Sequence, residues 1–182
     1  MNTTPPSIRE IRLVGEKALR RSPDIEMERH RALSDLRHEN FFLVRGYEDQ
    51  APYHLSLELN GATLFMHVYT PDEDLLTTLQ FGLSALKRII KDYFMMCESF
   101  YAIARSGDVG KIEAVDMGRR AIHNEGAEIL LQMLEKYVVS DMLTARRLFT
   151  LICILHIRVT NLYFNFERTK DKNVRKRRLN GI

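Results

Sequence analysis

The feature that most limits what this chain can fold into is a change in the period of its apolar residues at Ser84. Before that point, hydrophobic residues alternate or come in short runs bounded by turn residues. After it, they recur at three- and four-residue spacing almost to the C-terminal end, the mark of helices that bury one stripe. Two periods in two consecutive blocks predict an α+β protein.

The first block reads as an antiparallel sheet of four to five strands with one helix packed on it. His54, Leu55, Ser56, Leu57, Glu58 and Leu59 alternate as a half-buried strand does. Asn60-Gly61 follows, a pair that tolerates positive φ and so favours a tight hairpin, and Ala62–Tyr69 is the return strand. Ile8–Val14, Phe41–Arg45 and Leu76–Leu83 supply the other strands. Ser22-Pro23-Asp24 carries three helix-start signals: a hydroxyl cap, a proline at the first helical position and an acid near the positive helix end. That helix should reach about Asn40, burying Ile25, Met27, Ala32, Leu33 and Leu36 and leaving Glu28, Arg29, His30 and Arg31 as a mostly solvated face.

The second block predicts four helices in a bundle-like half. The first runs from Ser84 to Ser106-Gly107, with Leu86, Ile89, Ile90, Tyr93, Phe94 and Cys97 inward. The second covers Val109–Ile122. His123-Asn124-Glu125-Gly126 is expected to break the chain, with Asn124 capping a third helix that buries Ile129, Leu130, Met133 and Leu134. The fourth starts near Ser140 or Asp141 and continues through Leu155. Beyond Arg147 it is apolar on nearly every side, so it should be central. Its apolar run, Leu148–Ile157, is too short to span a bilayer.

Composition matters for compartment and partner. Two cysteines in 182 residues, Cys97 and Cys153, are too few for a disulfide framework, and the opening MNTTPPS, with no cationic start and no apolar run, is not expected to act as a signal peptide. A cytoplasmic location is the expectation. The net charge of +3 is misleading, because Arg168–Arg178 alone carries seven basic residues against one acid and leaves the rest of the chain at −3. Residues 1–165 are therefore read as one domain behind a flexible start (1–7), and 166–182 as a disordered basic tail. Docking on nucleic acid or an acidic partner would fall to Arg168–Arg178.

The chemistry concentrates in Asp116–Glu128. On a helix, Asp116, Arg120 and His123 share one face. An acid there could orient the imidazole and a guanidinium could hold an anion beside it, the layout of a general acid/base. Arg119 falls on the apolar stripe with Ile112, Val115 and Ile122, where an arginine needs a partner; Glu98 and Glu125 are the candidates. Arg146 and Arg147 stand at the start of a helix, against its dipole, and so call for a carboxylate or a ligand. The candidate catalytic group is thus His123 with Asp116 or Glu125, and the candidate anion-binding group is Arg119, Arg120, Asn124, Arg146 and Arg147. The partner expected there is a small anionic ligand or a protein. The six histidines are scattered and no cysteine pair has zinc spacing, so neither metal nor cofactor is expected.

The strings KRIIKDYFMMCESFYAIARS (Lys87–Ser106), KIEAVDMGRRAIHNEG (Lys111–Gly126), TARRLFTLICILH (Thr144–His156) and SPDIEMERHRALSDLRHENFF (Ser22–Phe42) closely resemble Uncharacterised Protein Family 0262, over roughly residues 10–158. The resemblance implies a small cytosolic bacterial protein without an established activity or known cofactor. Ala121 stands where that family usually has glycine and Ile157 where it usually has tryptophan. The residues after Arg158 look like an extension past the family's usual end.

Overall fold

In a computed structural model, residues 7–15, 23–106 and 109–157 are described. The elements are β1 (Ile8–Leu13), α1 (Pro23–His38), β2 (Phe42–Val44), β3 (Tyr53–Asn60), β4 (Thr63–Tyr69), β5 (Leu75–Gly82), α2 (Lys87–Ser106), α3 (Val109–Leu134), β6 (Val138–Ser140) and α4 (residues 142–157). Short 3-10 turns at Glu48–Gln50 and Leu83–Leu86 join some of them. The class is α+β, as the two apolar periods imply.

Two features of the sheet differ from a simple meander. The four-stranded sheet runs β1-β3-β4-β5 and is mixed, with β1 parallel to β3 (Ile11 opposite Leu55, Leu13 opposite Leu57) and the other pairs antiparallel. A parallel pair needs a crossover, and α1 lies in the connection between β1 and β3. The Phe41–Arg45 run does not join this sheet. It forms β2, which pairs with β6 as a separate two-stranded ribbon. Strand alternation is kept where it was expected: Leu55, Leu57, Leu64, Met66, Val68, Leu79 and Phe81 are buried on one face.

Asn40 ties the crossover together. Its Oδ1 accepts from Ile8 N–H at 2.6 Å, and its Nδ2 donates to Ile8 O at 2.9 Å and to Leu36 O at 2.6 Å. One side chain thereby closes the C-terminal end of α1 and pins the start of β1. Its role extends the helix-end logic of unsatisfied carbonyls.

Among the described residues, the helical half has three helices and not four. His123-Asn124-Glu125-Gly126 does not break the chain; α3 passes through it for 26 residues. Asn124 is an exposed mid-helix residue and not a cap. Gly126 is required by packing: a Cβ there would lie 2.4–2.6 Å from the ring of Phe149 on α4. Ala127, Leu130 and Leu134 are buried beyond it, and that burial outweighs the weak helix propensities of Asn124 and Gly126. The start of α4 is as read, since Thr144 N–H donates to Asp141 Oδ1 at 2.6 Å, an N-cap bond. From Leu148 to Leu155 the helix is buried except for a trace at Thr150 and Ile154. It lies at the centre of the core that also holds Leu36, Phe42, Leu86, Ile89, Ile90 and Tyr93.

On α1, Ala32 and Leu36 are buried as expected, but Met27 is exposed and Glu28 is 5% exposed. The solvated face assigned to Glu28 is therefore wrong. Glu28, Ala32 and Leu36 follow one another at four-residue spacing on the inward stripe. The cap expected from Ser22, the start at residues 1–6 and the tail Arg168–Arg178 lie outside the described residues. No helix among the described residues is long and apolar enough to cross a membrane.

Candidate functional site

Three helices turn charged residues toward one crevice. It has a volume of ≈ 260 Å³. From α1 come Glu28, Arg31, Ala32 and Asp35; from α3, Arg119 and His123; from α4, Leu143, Arg146, Arg147 and Thr150. Exposed Arg31 and Leu143 mark its solvent side, and Glu28 and His123 its buried side. Four of the residues singled out from the sequence thus converge: Arg119, His123, Arg146 and Arg147. Arg120, Asn124, Asp116 and Glu125 do not line it.

Arg119 is the half-buried arginine on the core side of α3. Its Nη2 donates to Asp116 Oδ1 at 2.8 Å and its Nη1 stands 3.9 Å from Glu28 Oε2 across the helix interface. The guanidinium carbon lies 5.1 Å from the Phe100 ring centroid, within cation–π range. Its partners are therefore Asp116 and Glu28. Glu125 is taken by Arg88 of α2, which also bonds Asp92 at 3.3 Å, and the side chain of Glu98 lies outside the described residues. Asp116 serves both arginines of the pair, since Arg120 Nε donates to its other oxygen at 2.7 Å. These guanidinium contacts hold the Asp116 carboxyl below its usual range, Arg119 first. Arg120 points outward at 69% side-chain exposure.

His123 does not share the exposure of Arg120, although the two lie on one helix face with Asp116. It is 8% exposed. Its ring centroid is 5.1 Å from that of Tyr93 and 6.4 Å from that of Phe149. Among the described residues, its buried Nε2 has no hydrogen-bond partner and no carboxylate orients the ring. Burial first, then the charges of Arg119 and Arg146, push its pKa down to about 4, with Asp116 opposing only weakly. The imidazole is neutral at pH 7 for that reason.

The two arginines at the start of α4 divide the two outcomes that their position allows. Arg147 reaches the C-terminal end of α1: Nη1 donates to Glu39 O, just past the helix, and Nε lies 3.9 Å from Asp35 Oδ2. Arg146 has no carboxylate partner among the described residues. It is half-buried, and burial together with Arg119, Arg120 and Arg147 lowers its pKa from the usual guanidinium value. The crevice holds four guanidinium groups against two carboxylates, Glu28 and Asp35, and the surplus is centred on Arg146.

Sequence reasoning missed Glu28, Arg31, Asp35 and Thr150. The signal for Glu28 was available in its four-residue spacing to Ala32 and Leu36. The other three became visible only when α1 was laid against α4. A separate cluster was also missed: Glu10, His54 and Glu73 bring one ligand atom each within 4.8 Å of one another. There Arg12 already engages both carboxylates, at 2.6 Å from Glu73 and 3.0 Å from Glu10, and His54 Nδ1 lies 2.7 Å from Glu73. The group is a closed ion-pair network at the sheet edge.

Comparison with known proteins matches residues 6–158 to the Uncharacterised protein family (UPF0262). A UPF0262 protein of Brucella canis is 45% identical over 139 residues, 76% of this chain and 87% of the relative. One from Paramagnetospirillum magneticum is 44% identical over 149 residues, 82% and 94%. One from Allorhizobium ampelinum is 47% identical over 139 residues, 76% and 88%. No solved structure matches.

Proposed function

This chain belongs to the Uncharacterised protein family (UPF0262), and for it we propose a binding or regulatory role in which the crevice between α1, α3 and α4 accepts a small anion. The observation that carries this reading is Arg146: a half-buried cation without a carboxylate among the described residues, next to Arg119 and Arg147, at a helix start where its charge opposes the dipole. A group held so unfavourably in the free protein gains when a negative charge arrives. Arg119 and Arg147 are each already held by a carboxylate, so they are fixed in place to line the anion's path. Arg120 and Asn124 drop out of the binding set, because they face solvent away from the crevice.

A thermal-shift series with phosphate, sulfate, nucleotides and small carboxylates tests it. A bound anion at about 100 times its Kd stabilises by about 2.7 kcal/mol, a shift of several degrees. Arg146→Gln should lose that shift. A flat series, or an undiminished shift in Arg146→Gln, removes the reading.

Proton transfer by His123 has less support. Asp116 is committed to Arg119 and Arg120, and Glu125 to Arg88. A ring with its pKa near 4 is a weak base at neutral pH. Docking through Arg168–Arg178 concerns residues outside those described, and nothing in the fold bears on it.

A further inference from the structure

His123 is faced by four helices. α1 presents Glu28, Arg31 and Asp35 to the same crevice; α2 the Tyr93 ring; α3 Arg119, with Asp116 beyond it; α4 Arg146, Arg147, Thr150 and the Phe149 ring. Three of these cations have carboxylates at 3.9 Å or closer: Arg31 has Glu28, Arg119 has Asp116 and Glu28, and Arg147 has Asp35. Among the described residues, Arg146 is left over. A proton on His123 would add a second unmatched positive charge beside the first, in a place where its Nε2 meets no acceptor among the described residues. Burial and the nearby guanidinium groups therefore keep the ring neutral. An anion at Arg146 reverses the balance, since it cancels the repulsion and attracts the proton. Two unmatched positive charges, Arg146 and imidazolium, correspond to a doubly charged oxyanion better than to a single carboxylate.

Resting on the reading of the crevice as an anion site, we infer that it takes a tetrahedral dianion, sulfate or a phosphoryl group, together with one proton from solvent that is held on His123. Anion affinity and His123 protonation are then reciprocal, as linkage requires. The site holds its ligand more tightly as pH falls.

Titration calorimetry with sodium sulfate tests this on the full chain, because sulfate stays a dianion over the working range. Sulfate affinity should weaken about tenfold between about pH 5 and pH 7, with close to one proton taken up per sulfate at the acid end, read from the buffer dependence of the heat. His123→Asn should bind sulfate with little pH dependence. In the unmodified protein, NMR titration of the His123 ring should give a higher pKa with sulfate than without, a readout that does not depend on the variant folding. Sulfate binding of constant affinity, with no proton uptake and an unmoved His123 titration, overturns the coupling and leaves the anion site standing. An unchanged pH slope in His123→Asn also overturns it. Absence of sulfate binding at every pH removes both.

Discussion

Gly126 of α3 lies against Phe149 of α4 so closely that no side chain fits between them. This contact lets the two helices carrying His123 and Arg146 approach on the core side of the crevice. Gly126→Ala should destabilise the fold by about 1–3 kcal/mol through overpacking, seen as a lower midpoint in urea. Combining it with Phe149→Leu should recover part of the loss. An unperturbed midpoint for Gly126→Ala would mean that the ring moves freely.

Arg119 and Arg120 are neighbours in sequence and opposites in setting. Arg119→Ala removes the half-buried cation facing buried Glu28 and should cost about 3 kcal/mol. Arg120→Ala removes an exposed partner of Asp116 and should stay within about 0.5 kcal/mol. Denaturant titration of both variants decides, and equal effects would contradict the assigned burial.

His123 makes stability depend on pH. Its folded pKa is about 4 against an ordinary value of 6.5, so as pH falls the unfolded chain takes the proton first. The contribution of the neutral ring is complete above about pH 6.5 and is lost between about pH 6.5 and pH 4, for a total of about 3 kcal/mol. His123→Asn should flatten the stability profile in that window. A wild-type profile that is level across it would show that the ring charges without penalty.

Arg146 should separate stability from binding. In the free protein Arg146→Gln removes a cation repelled by its neighbours and should leave stability unchanged or raise it by up to about 1 kcal/mol. The same variant should lose anion-dependent stabilisation. A marked drop in the midpoint without ligand would reveal a structural role instead.

The sequence made the strands legible because one buried face forces alternation, and Leu55, Leu57, Leu64, Met66 and Val68 obey it. It made α4 legible because a helix apolar all round can only be interior. The parallel β1–β3 pair was not legible, since alternation gives faces and not neighbours. β6, at three residues, is too short to leave a periodic trace. Asn124 and Gly126 resembled a helix break because the local signals for a cap and a breaker are the same residues that a packed helix tolerates under a bulky ring. Within the site, Arg146 and Arg147 announced themselves by their position against the helix dipole. Glu28 did not, because a charge beside Arg29 and Arg31 looks solvated until its place four residues before Ala32 is counted.

The parallel pairing of β1 with β3 has a consequence for the order in which the molecule assembles. Strands β3, β4 and β5 meet through short turns and can form from contacts close in sequence. β1 must wait, because bringing Ile8 to Tyr53 closes a long loop that includes α1, and that closure costs chain entropy before any pairing repays it. The Asn40 side chain bonds both Ile8 and Leu36, so it is formed only when the loop has closed. It is a late latch, and the α1 face of the crevice takes its final position only as that latch engages.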